Sequence, residues 1–454
     1  MPRNLTRSRP ALGLFFVFFA AFAAQQFLPL VRTHAENVLM AQTDIAGPAG
    51  SGTFGTTVTV LANGNIVVTD PTYTDPANPG VTGIGAVYLY DGATLAIIST
   101  LKGSTANDNV GGDGVTVLTN GNYVVDSPNW DNPSPAKIDV GAVTWCSATT
   151  GCNGAVSAAN SLIGGTASDF VGGYGGVTAL TNGNYVVSSL LWSNPSGSIS
   201  SVGAVTWGNG AGGTVGLVLS TNSLIGGTAN DQVGFGAGVT ALTNGNYVVK
   251  SPLWDNPSGS KIDTGAATWG NGMGGTVGLV TSANSLIGGT TNDLVGLGVT
   301  ALTNGNYVVS SFLWSNPSGP ISSVGAVTWG NGTTGITGLV TSSNSLIGGT
   351  AYDQVGGGGV TALTNDNYVV GSNTWDNPSP AKINVGAVTW GNGLGGTVGL
   401  VTSANSLIGG TASDFVGSSG VTALTNGNYV VGSYAWDNPS GPITDVGEIG
   451  RAHV

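Results

Sequence analysis

One eleven-residue phrase, V-T-A-L-T-N-G-N-Y-V-V with small variations, recurs seven times along the 454-residue chain. Its central turn lies at Asn63-Gly64, Asn120-Gly121, Asn182-Gly183, Asn244-Gly245, Asn304-Gly305, Asn365-Asp366 and Asn426-Gly427. Successive turns are 57, 62, 62, 60, 61 and 61 residues apart. A period this regular is typical of repeat architectures, in which each unit buries its apolar face against its neighbours. The fold of one unit therefore determines the fold of the chain.

Each unit reads as a series of short strands. Asn-Gly between two runs of alternating apolar and polar residues is a strong hairpin signal, because both turn positions need a positive φ. Turns rich in Gly and Asn separate the remaining strands. In the unit at 171–232 the predicted strands are Val177–Thr181, Asn184–Ser188, Gly203–Trp207 and an outer strand made of Val215–Ser220 with Ser223–Ile225.

Four antiparallel strands in about 60 residues are typical of a propeller blade. The prediction is therefore an all-β chain, a β-propeller of four-stranded blades with seven copies, the last truncated. A β-solenoid would use shorter coils, and an immunoglobulin-like array would need about 100 residues per domain. The predicted repeats are 54–109, 110–170, 171–232, 233–294, 295–354, 355–415 and a partial copy at 416–447.

The N-terminus does not belong to the repeats. Three arginines precede an apolar run from Ala11 to Ala24, which is the layout of a secretory signal. We therefore predict a signal peptide at 1–35, with an uncleaved membrane anchor as the alternative, and a secreted or cell-surface protein. Residues 36–53 form a lead-in, in which Val38–Gln42 could add an outer strand to the last blade.

The C-terminus departs from the repeat as well. Other copies continue V-G-A-V-T-W, whereas the last reads Val446-Gly447 and then E-I-G-R-A-H-V. Residues 448–454 resemble the translation of a sequencing adapter, so we expect them to be an artefact of a truncated gene.

The composition of the repeats excludes several functions. Residues 36–447 contain no His, no Arg and five Lys against 21 acidic residues. Such a body cannot neutralise phosphates, so no nucleic-acid partner is expected. It also cannot form a Ser-His-Asp site or a His-ligated metal centre. The acids found in single copies, Asp70, Asp113, Asp126 and Asp366, form no recognisable motif, so no catalytic residue, enzyme activity or cofactor is predicted.

Cys146 and Cys152 are the only cysteines, and both lie in one turn. In an exported protein such a pair is expected to form a local disulfide. Two cysteines without a histidine make a metal site the weaker alternative.

In the six copies after the first, a polar loop beginning with W-D-N or W-S-N follows the second strand. Eight residues after each Asp or Ser comes an Asp, Ser or Asn partner, and the two positions change together. The pairs Asp131 with Asp139, Asp255 with Asp263, and Asp437 with Asp445 could hold a cation. The alternative is a loop braced by hydrogen bonds, with Lys137, Lys261 and Lys382 supplying local ion pairs.

The tryptophans of these loops suggest a ligand surface, because indoles stack well on sugars. The predicted ligand-binding residues are Trp130, Trp192, Trp254, Trp314, Trp375 and Trp436. The alternative is that each indole packs between blades. A second set, predicted to lie in the core, is Trp145, Trp207, Trp269, Trp329 and Trp390.

An aspartate precedes the start of each blade after the first. These residues are expected to accept backbone N–H groups in the turn between blades. They are Asp108, Asp169, Asp231, Asp293, Asp353 and Asp414.

The units resemble the FG-GAP repeats of the integrin α-subunit propeller. The resemblance rests on the following motifs: Phe54-Gly55, Val171-Gly172, V-V-x-S-P at Val124–Pro128 and Val248–Pro252, and G-A-V-Y-L-Y at Gly85–Tyr90. The resemblance implies a ring of seven blades. It does not bring over that family's calcium loop, since the turn Thr181–Asn184 has no carboxylate.

A closer resemblance is to an uncharacterised repeat family of exported bacterial proteins, marked by L-T-N-G-N-Y-V-V and A-V-T-W-G-N-G. Together these features predict a non-enzymatic scaffold for adhesion, whose partner is an extracellular glycan or protein. No membrane insertion is expected beyond the N-terminal segment. The alternatives are a purely structural array and an accessory propeller of an enzyme encoded beyond the truncated end.

Overall fold

The computed structural model describes residues 42–236, 238–438, 440–441 and 444–452. The chain divides into a short unit at 1–46 and a repeat unit at 47–454. The predicted signal segment and nearly all of the predicted closing strand Val38–Gln42 lie outside the described residues. Within the described part, no helix has the length and hydropathy that crossing a membrane requires.

Repeats one to six each form a sheet of four antiparallel strands, as predicted. In the fourth repeat the order is Val239–Ala241, Tyr247–Ser251, Ala266–Gly270 and Ser285–Ile287, each paired with the next. The Asn244-Gly245 turn joins the first two strands, and Gly245 has the positive φ that this turn requires. The chain is therefore all-β and consists of consecutive propeller-type blades.

The strands of the blades have similar bounds in every repeat. The first strands are Val58–Val60, Val115–Val117, Tyr174–Ala179, Val239–Ala241, Gly298–Ala301, Val360–Ala362 and Val421–Ala423. The second strands are Ile66–Asp70, Tyr123–Ser127, Tyr185–Ser189, Tyr247–Ser251, Tyr307–Ser311, Tyr368–Ser372 and Tyr429–Ser433. The third strands are Ala86–Tyr90, Ala142–Cys146, Ala204–Gly208, Ala266–Gly270, Ala326–Gly330, Ala387–Gly391 and Glu448–Ala452. The fourth strands are Ile97–Lys102, Leu162–Ile163, Ser223–Ile225, Ser285–Ile287, Ser345–Ile347 and Ser406–Ile408.

A fifth, two-residue strand completes blades one to five, and it comes from the following repeat. Leu224 and Ile225 of the third blade pair in parallel with Gly278 and Leu279 of the fourth repeat. We call these segments the donated strands. They are Gly154–Ala155, Gly216–Leu217, Gly278–Leu279, Gly338–Leu339 and Gly399–Leu400.

The donated strands correct the predicted outer strand. Gly216–Leu217 and Ser223–Ile225 do not form one strand, because the first pairs with the second blade and the second with the third. Val218 then donates its N–H to the carbonyl of Ile163 at 3.0 Å and is buried against the neighbouring blade. The segment therefore links two blades rather than finishing its own.

Two of the polar loops carry small hairpins of their own. These are Asn132–Pro133 with Ala136–Lys137, and Asn377–Pro378 with Ala381–Lys382.

The hydrophobic core lies between blades. Val186, Val205 and Leu224 of the third repeat pack with Val249 and Trp254 of the fourth. The second and third strands are buried along most of their length, since each of their two faces packs against a neighbouring blade. Because a single sheet buries neither face alone, each repeat depends on its neighbours for stability.

At four junctions a single carbonyl group also accepts three hydrogen bonds from the preceding repeat. The Gly272 oxygen accepts N–H bonds from Asn182 Nδ2, Asn184 Nδ2 and Trp207 Nε1, each at 2.9 Å. We call this arrangement the carbonyl clamp. The same three donors from the preceding repeat converge on the carbonyl oxygens of Gly210, Gly332 and Gly393.

The clamp explains the repeated letters N-G-N and W-G-N-G. A Cβ at Gly272 would lie 1.7 Å from the carbonyl oxygen of Gly245, so only glycine fits there. Trp145, Trp207, Trp269 and Trp329 are half-buried, pack against the core as predicted, and in addition donate to the clamp.

The first junction uses a different turn. Asn63 and Asn65 donate to the carbonyl of Ala148 at 2.8 and 2.9 Å, and Leu89 stands where later repeats have the tryptophan. The turn that carries this acceptor is closed by a disulfide between Cys146 and Cys152, whose Cα atoms are 5.0 Å apart. A covalent bond therefore fixes the acceptor turn that has one donor fewer.

The last repeat has three described strands. Glu448–Ala452 pairs antiparallel with Tyr429–Ser433, in the position of a third strand. The expectation that 448–454 is an artefact stays a prediction. The described hydrogen bonds between repeats join consecutive repeats.

We expect Trp207→Phe to lower the free energy of unfolding by about 1 kcal/mol, because the clamp loses one donor while most of the ring remains. Trp390→Phe is the matched control, since its Nε1 has no partner among the described residues. Thermal unfolding and amide hydrogen exchange of the fourth repeat would measure the difference. Equal losses in the two variants would contradict a role for the Nε1 donor.

Candidate functional site

The tryptophans of the polar loops lie inside the protein. Trp130, Trp192, Trp254, Trp314 and Trp375 are at most 2% exposed, and Trp436 is half-buried. The first five offer no ring face to a ligand, which corrects their prediction as binding residues and favours the packing alternative. Truncating a buried Trp to Ala typically costs about 3–5 kcal/mol, so such variants report on folding rather than on recognition.

The polar loop is braced by its paired residues. Asp255 Oδ1 accepts the backbone N–H of Asp263 at 2.8 Å, and Ser193 Oγ accepts that of Ser201 at 3.2 Å. Asp263 has φ of 50°, a left-handed conformation that Asp and Asn tolerate better than most residues. The bracing alternative is thus present, and it explains why the first position of each pair carries an acceptor.

The predicted cation candidates have part of their oxygens engaged. Asp131, Asp255 and Asp437 each accept a backbone N–H from the second member of the pair, Asp139, Asp263 or Asp445. Within the described ranges, no group of three His, Cys, Asp or Glu residues could hold a metal ion. The cation hypothesis stays a prediction, and calcium would need further oxygen ligands.

The lysines of these loops do not form the predicted ion pairs. The ammonium groups of Lys137, Lys261 and Lys382 donate to backbone carbonyls of Gly165, Gly289 and Gly410. The residues that the structure describes form an ion pair elsewhere, between Lys102 and Asp75 of the first repeat. The lysines therefore tie the polar loop to the turn that leads into the next blade.

We expect removal of calcium with excess chelator to leave the melting temperature unchanged, because the loop carboxylates already bind backbone N–H groups. Thermal unfolding with and without calcium measures this. A melting temperature that falls on chelation, and a fall that Asp255→Ser abolishes, would establish the cation site instead.

The aspartates before each blade act as predicted. Asp231 Oδ2 accepts the N–H groups of Gly227 and Thr228 at 2.7 and 2.9 Å, and Oδ1 accepts that of Asp255 at 2.9 Å. All six are buried. Burial raises the pKa of Asp169 to about 6, against the lowering effect of its backbone N–H donors. These side chains join the end of one repeat to the polar loop of the next.

One loop differs in both length and chemistry from repeat to repeat. It lies between the Val-Gly that opens a repeat and the Val-Thr of its first strand, and we call it the opening loop. Its amino-acid sequence differs in every copy. The seven versions are T-T at 56–57, G-D-G at 112–114, G-Y-G-G at 173–176, F-G-A-G at 235–238, L-G at 297–298, G-G-G at 357–359 and S-S-G at 418–420. Loops on a rigid scaffold are where binding residues concentrate.

A second variable position lies beside the opening loops. It is the fourth residue of each second strand: Thr69, Asp126, Ser188, Lys250, Ser310, Gly371 and Gly432. Ser310 Oγ donates to the carbonyl of Gly356, which opens the next repeat, at 3.1 Å. A Cβ built on Gly172 would lie 3.4 Å from Asp126 Oδ1. The variable side chains of one strand therefore adjoin the opening loop that follows.

Two copy-specific acids meet in a pocket of about 570 Å³. Thr57, Asp113, Asp126 and Tyr174 line it together with glycines of the opening loops, so three successive repeats contribute. Asp126 is 5% exposed, and its Oδ1 has no hydrogen-bond partner. Tyr174 is 72% exposed at the rim. This pocket is the candidate functional site.

Burial dominates the electrostatics of the pocket. Desolvation raises the pKa of Asp126 well above its usual value, and the charge of Asp113 raises it further. Desolvation also raises the pKa of Asp113. A carboxyl group held in its neutral form can both donate and accept a hydrogen bond.

The sequence analysis named Asp113 and Asp126 but did not join them, because they share no motif. Asp113 precedes the first strand, and Asp126 lies near the end of the second. An antiparallel hairpin brings those two positions to the same end of the blade. The signal that could have found them is the copy-to-copy variation of both positions within otherwise constant repeats.

The stacked four-stranded blades define an all-β repeat protein of the propeller class. Within that class the chain belongs to a family of repeats of unknown function (DUF5650), whose model matches residues 117–173, 179–235, 241–297, 301–357, 362–418 and 423–449. The matches cover repeats two to seven, the last in part. The resemblance to FG-GAP repeats stays a prediction.

No curated protein matches the chain significantly. Among solved structures, the chain is similar to BamB from Moraxella catarrhalis at 12% identity, over 88% of this chain and 87% of that one, with a TM-score of 0.28. A likeness this weak carries no argument about function.

We expect Asp126→Asn to raise the free energy of unfolding more at about pH 8 than at about pH 4. The raised pKa means that the folded protein binds this proton more tightly than the unfolded chain. In the wild type, the stability contributed by Asp126 is fully present below the usual carboxyl pKa and is lost as the pH rises through the raised pKa of the folded state. Asn cannot ionise, so the variant does not lose this stability at high pH. Chemical unfolding at both pH values measures the effect.

Asp366→Asn is the control, since it replaces another copy-specific acid that lies in a hairpin turn away from this pocket. If Asp126→Asn increased the free energy of unfolding by the same amount at both pH values, the predicted pH dependence would be wrong.

Proposed function

We propose that this protein is an exported, non-enzymatic scaffold whose opening loops and variable strand positions bind an extracellular ligand, either a glycan or a protein. The single observation that supports it is where the repeats differ. Residues of the carbonyl clamp and of the buried aspartate turns recur in most copies, while the opening loop changes in length and chemistry from one copy to the next.

A frame with changeable loops is the arrangement that binding proteins use. Packing and the carbonyl clamp set the positions of the blades, so substitutions in an opening loop leave the frame unchanged. A purely structural role gives no reason for the same loop to carry side chains as different as Asp113, Tyr174 and Phe235 at exposed or pocket-lining positions. This reasoning favours a binding scaffold over a purely structural array.

Export supports the same proposal. The predicted signal segment and the cysteine pair both suit a secreted or surface-attached protein. The low content of cations and the absence of histidine from 36–447 favour recognition over acid–base catalysis. An extracellular scaffold of this kind would hold a cell or an enzyme close to its target.

The test is an exchange of loops within the chain. Replacing the opening loop at 173–176 with G-G-G from the sixth repeat keeps a loop that these blades already accommodate. The full chain and this variant are applied to an array of neutral and acidic glycans and to a panel of cell-surface proteins. We expect at least one ligand of the wild type to bind the variant about tenfold more weakly or not at all.

The matched control is Met273→Ser with Leu394→Ser. Both side chains are exposed in turns beside the Asn-Gly hairpins, at the other end of the blades. Ligand binding that survives the loop exchange, or that the control reduces equally, would argue against the opening loops as the binding surface.

A further inference from the structure

We propose that the pocket formed by Asp113, Asp126 and Tyr174 is a subsite for one neutral sugar ring of a glycan, with the tyrosine as its stacking platform. The inference rests on the proposed function and narrows it to one ligand class and one place. Three features of the pocket carry it: its size, its exposed aromatic ring and its unpartnered carboxyl oxygen.

The pocket has the dimensions of a small-ligand site. Its volume of about 570 Å³ lies within the range of about 300–1,000 Å³ in which such ligands bind. Thr57, Asp113 and Tyr174 come from the opening loops of three consecutive repeats, so the junctions between blades fix their separation. The site is therefore held by the rigid frame, although loops line it.

Tyr174 presents an aromatic surface at the rim. Its ring meets that of Phe170 edge to face, with centroids 5.9 Å apart and an angle of 83° between the planes. The side chain is still 72% exposed, and its backbone has φ of 59° at the irregular start of the first strand. An exposed ring with a fixed neighbour can cover the C–H face of a pyranose at little cost in entropy.

Asp126 supplies the polar contact at the base of the pocket. It is 5% exposed, and a buried oxygen without a partner is rare in folded proteins and calls for an explanation. Because Oδ1 has almost no accessible surface, a sugar hydroxyl reaches it only when the Asp126 side chain turns toward the pocket. A hydroxyl suits that contact because it both donates and accepts hydrogen bonds. Asp113 lines the same pocket as Asp126, so a single ligand can contact both acids.

A divalent cation fits the pocket less well. Calcium takes about six to eight oxygen ligands, several of them carboxylates, whereas the side chains that line this pocket offer two carboxylates and the hydroxyl groups of Thr57 and Tyr174. Burial also disfavours the charged form of both acids. Moreover, a cation would have no use for the exposed ring of Tyr174.

The experiment uses the full chain with cellohexaose, chitohexaose, maltohexaose and mannohexaose as probes, titrated by calorimetry. At least one of them is expected to bind. Tyr174→Asn should weaken that binding about tenfold or more, since it removes the ring but keeps a residue that tolerates a positive φ. Asp126→Ser should weaken it as well, and serine already stands at this position in the third and fifth repeats.

Tyr352→Asn is the matched control. Tyr352 is 65% exposed and has φ of 68°, but it lies in a turn of the fifth repeat, away from the pocket. Tyr352→Asn should leave the affinity for the sugar unchanged, although it removes an exposed ring at a positive φ just as Tyr174→Asn does. Sugar binding that falls in Tyr174→Asn and Asp126→Ser, and not in Tyr352→Asn, supports the subsite.

The other outcomes separate this inference from the proposed function. Sugar binding that survives both pocket variants but is lost on exchange of the opening loop overturns the subsite and leaves the scaffold. If the protein binds a protein ligand but none of the four hexasaccharides, the sugar subsite is likewise overturned and the scaffold proposal stays. A calcium-dependent rise in melting temperature that Asp126→Ser abolishes would make the pocket a cation site. Ligand binding that is indifferent to the loop exchange overturns both proposals.

Discussion

The register between blades two to six depends on one backbone carbonyl group at each junction. The backbone oxygen at Gly210, Gly272, Gly332 or Gly393 accepts three N–H donors from the preceding repeat, and the fit requires glycine because a Cβ would collide with the neighbouring turn. A carbonyl oxygen has two lone pairs, so three donors saturate it and make the register between blades specific. The apolar wedge between blades buries the largest side chains, while the clamp adds directional hydrogen bonds that a shifted register would break.

This division of labour separates stability from recognition. The clamp and the aspartate turns are repeated with little change, whereas the opening loops and the fourth position of each second strand differ from copy to copy. Both variable sets lie at the end of the blades opposite the clamp, since the first and second strands are antiparallel. A substitution that alters the pocket of Asp113 and Asp126 therefore leaves the glycine carbonyls and their donors untouched.

The sequence predicted what is local and missed what joins repeats. The Asn-Gly hairpins, the first three strands and the role of Asp231 follow from patterns within one unit, and the structure confirms them. The donated strand could not be foreseen, because two residues such as Gly278–Leu279 have no period of their own and their partner lies in another repeat. The burial of Trp254 and the clamp role of Trp207 also depend on the neighbouring blade. The pocket was hidden for a related reason, since its acids lie in different elements and its tyrosine in the next repeat.

The donated strands also determine the order in which the blades are completed during synthesis. Leu224 pairs with Gly278, which is 54 residues further along the chain. A chain that emerges N-terminus first exposes the edge of each new blade until the next repeat has followed. At synthesis rates of about 5–20 residues per second, that interval is about 3–10 s. The newest blade is thus the vulnerable one, with a free edge open to mispairing, and each repeat protects its predecessor as it arrives.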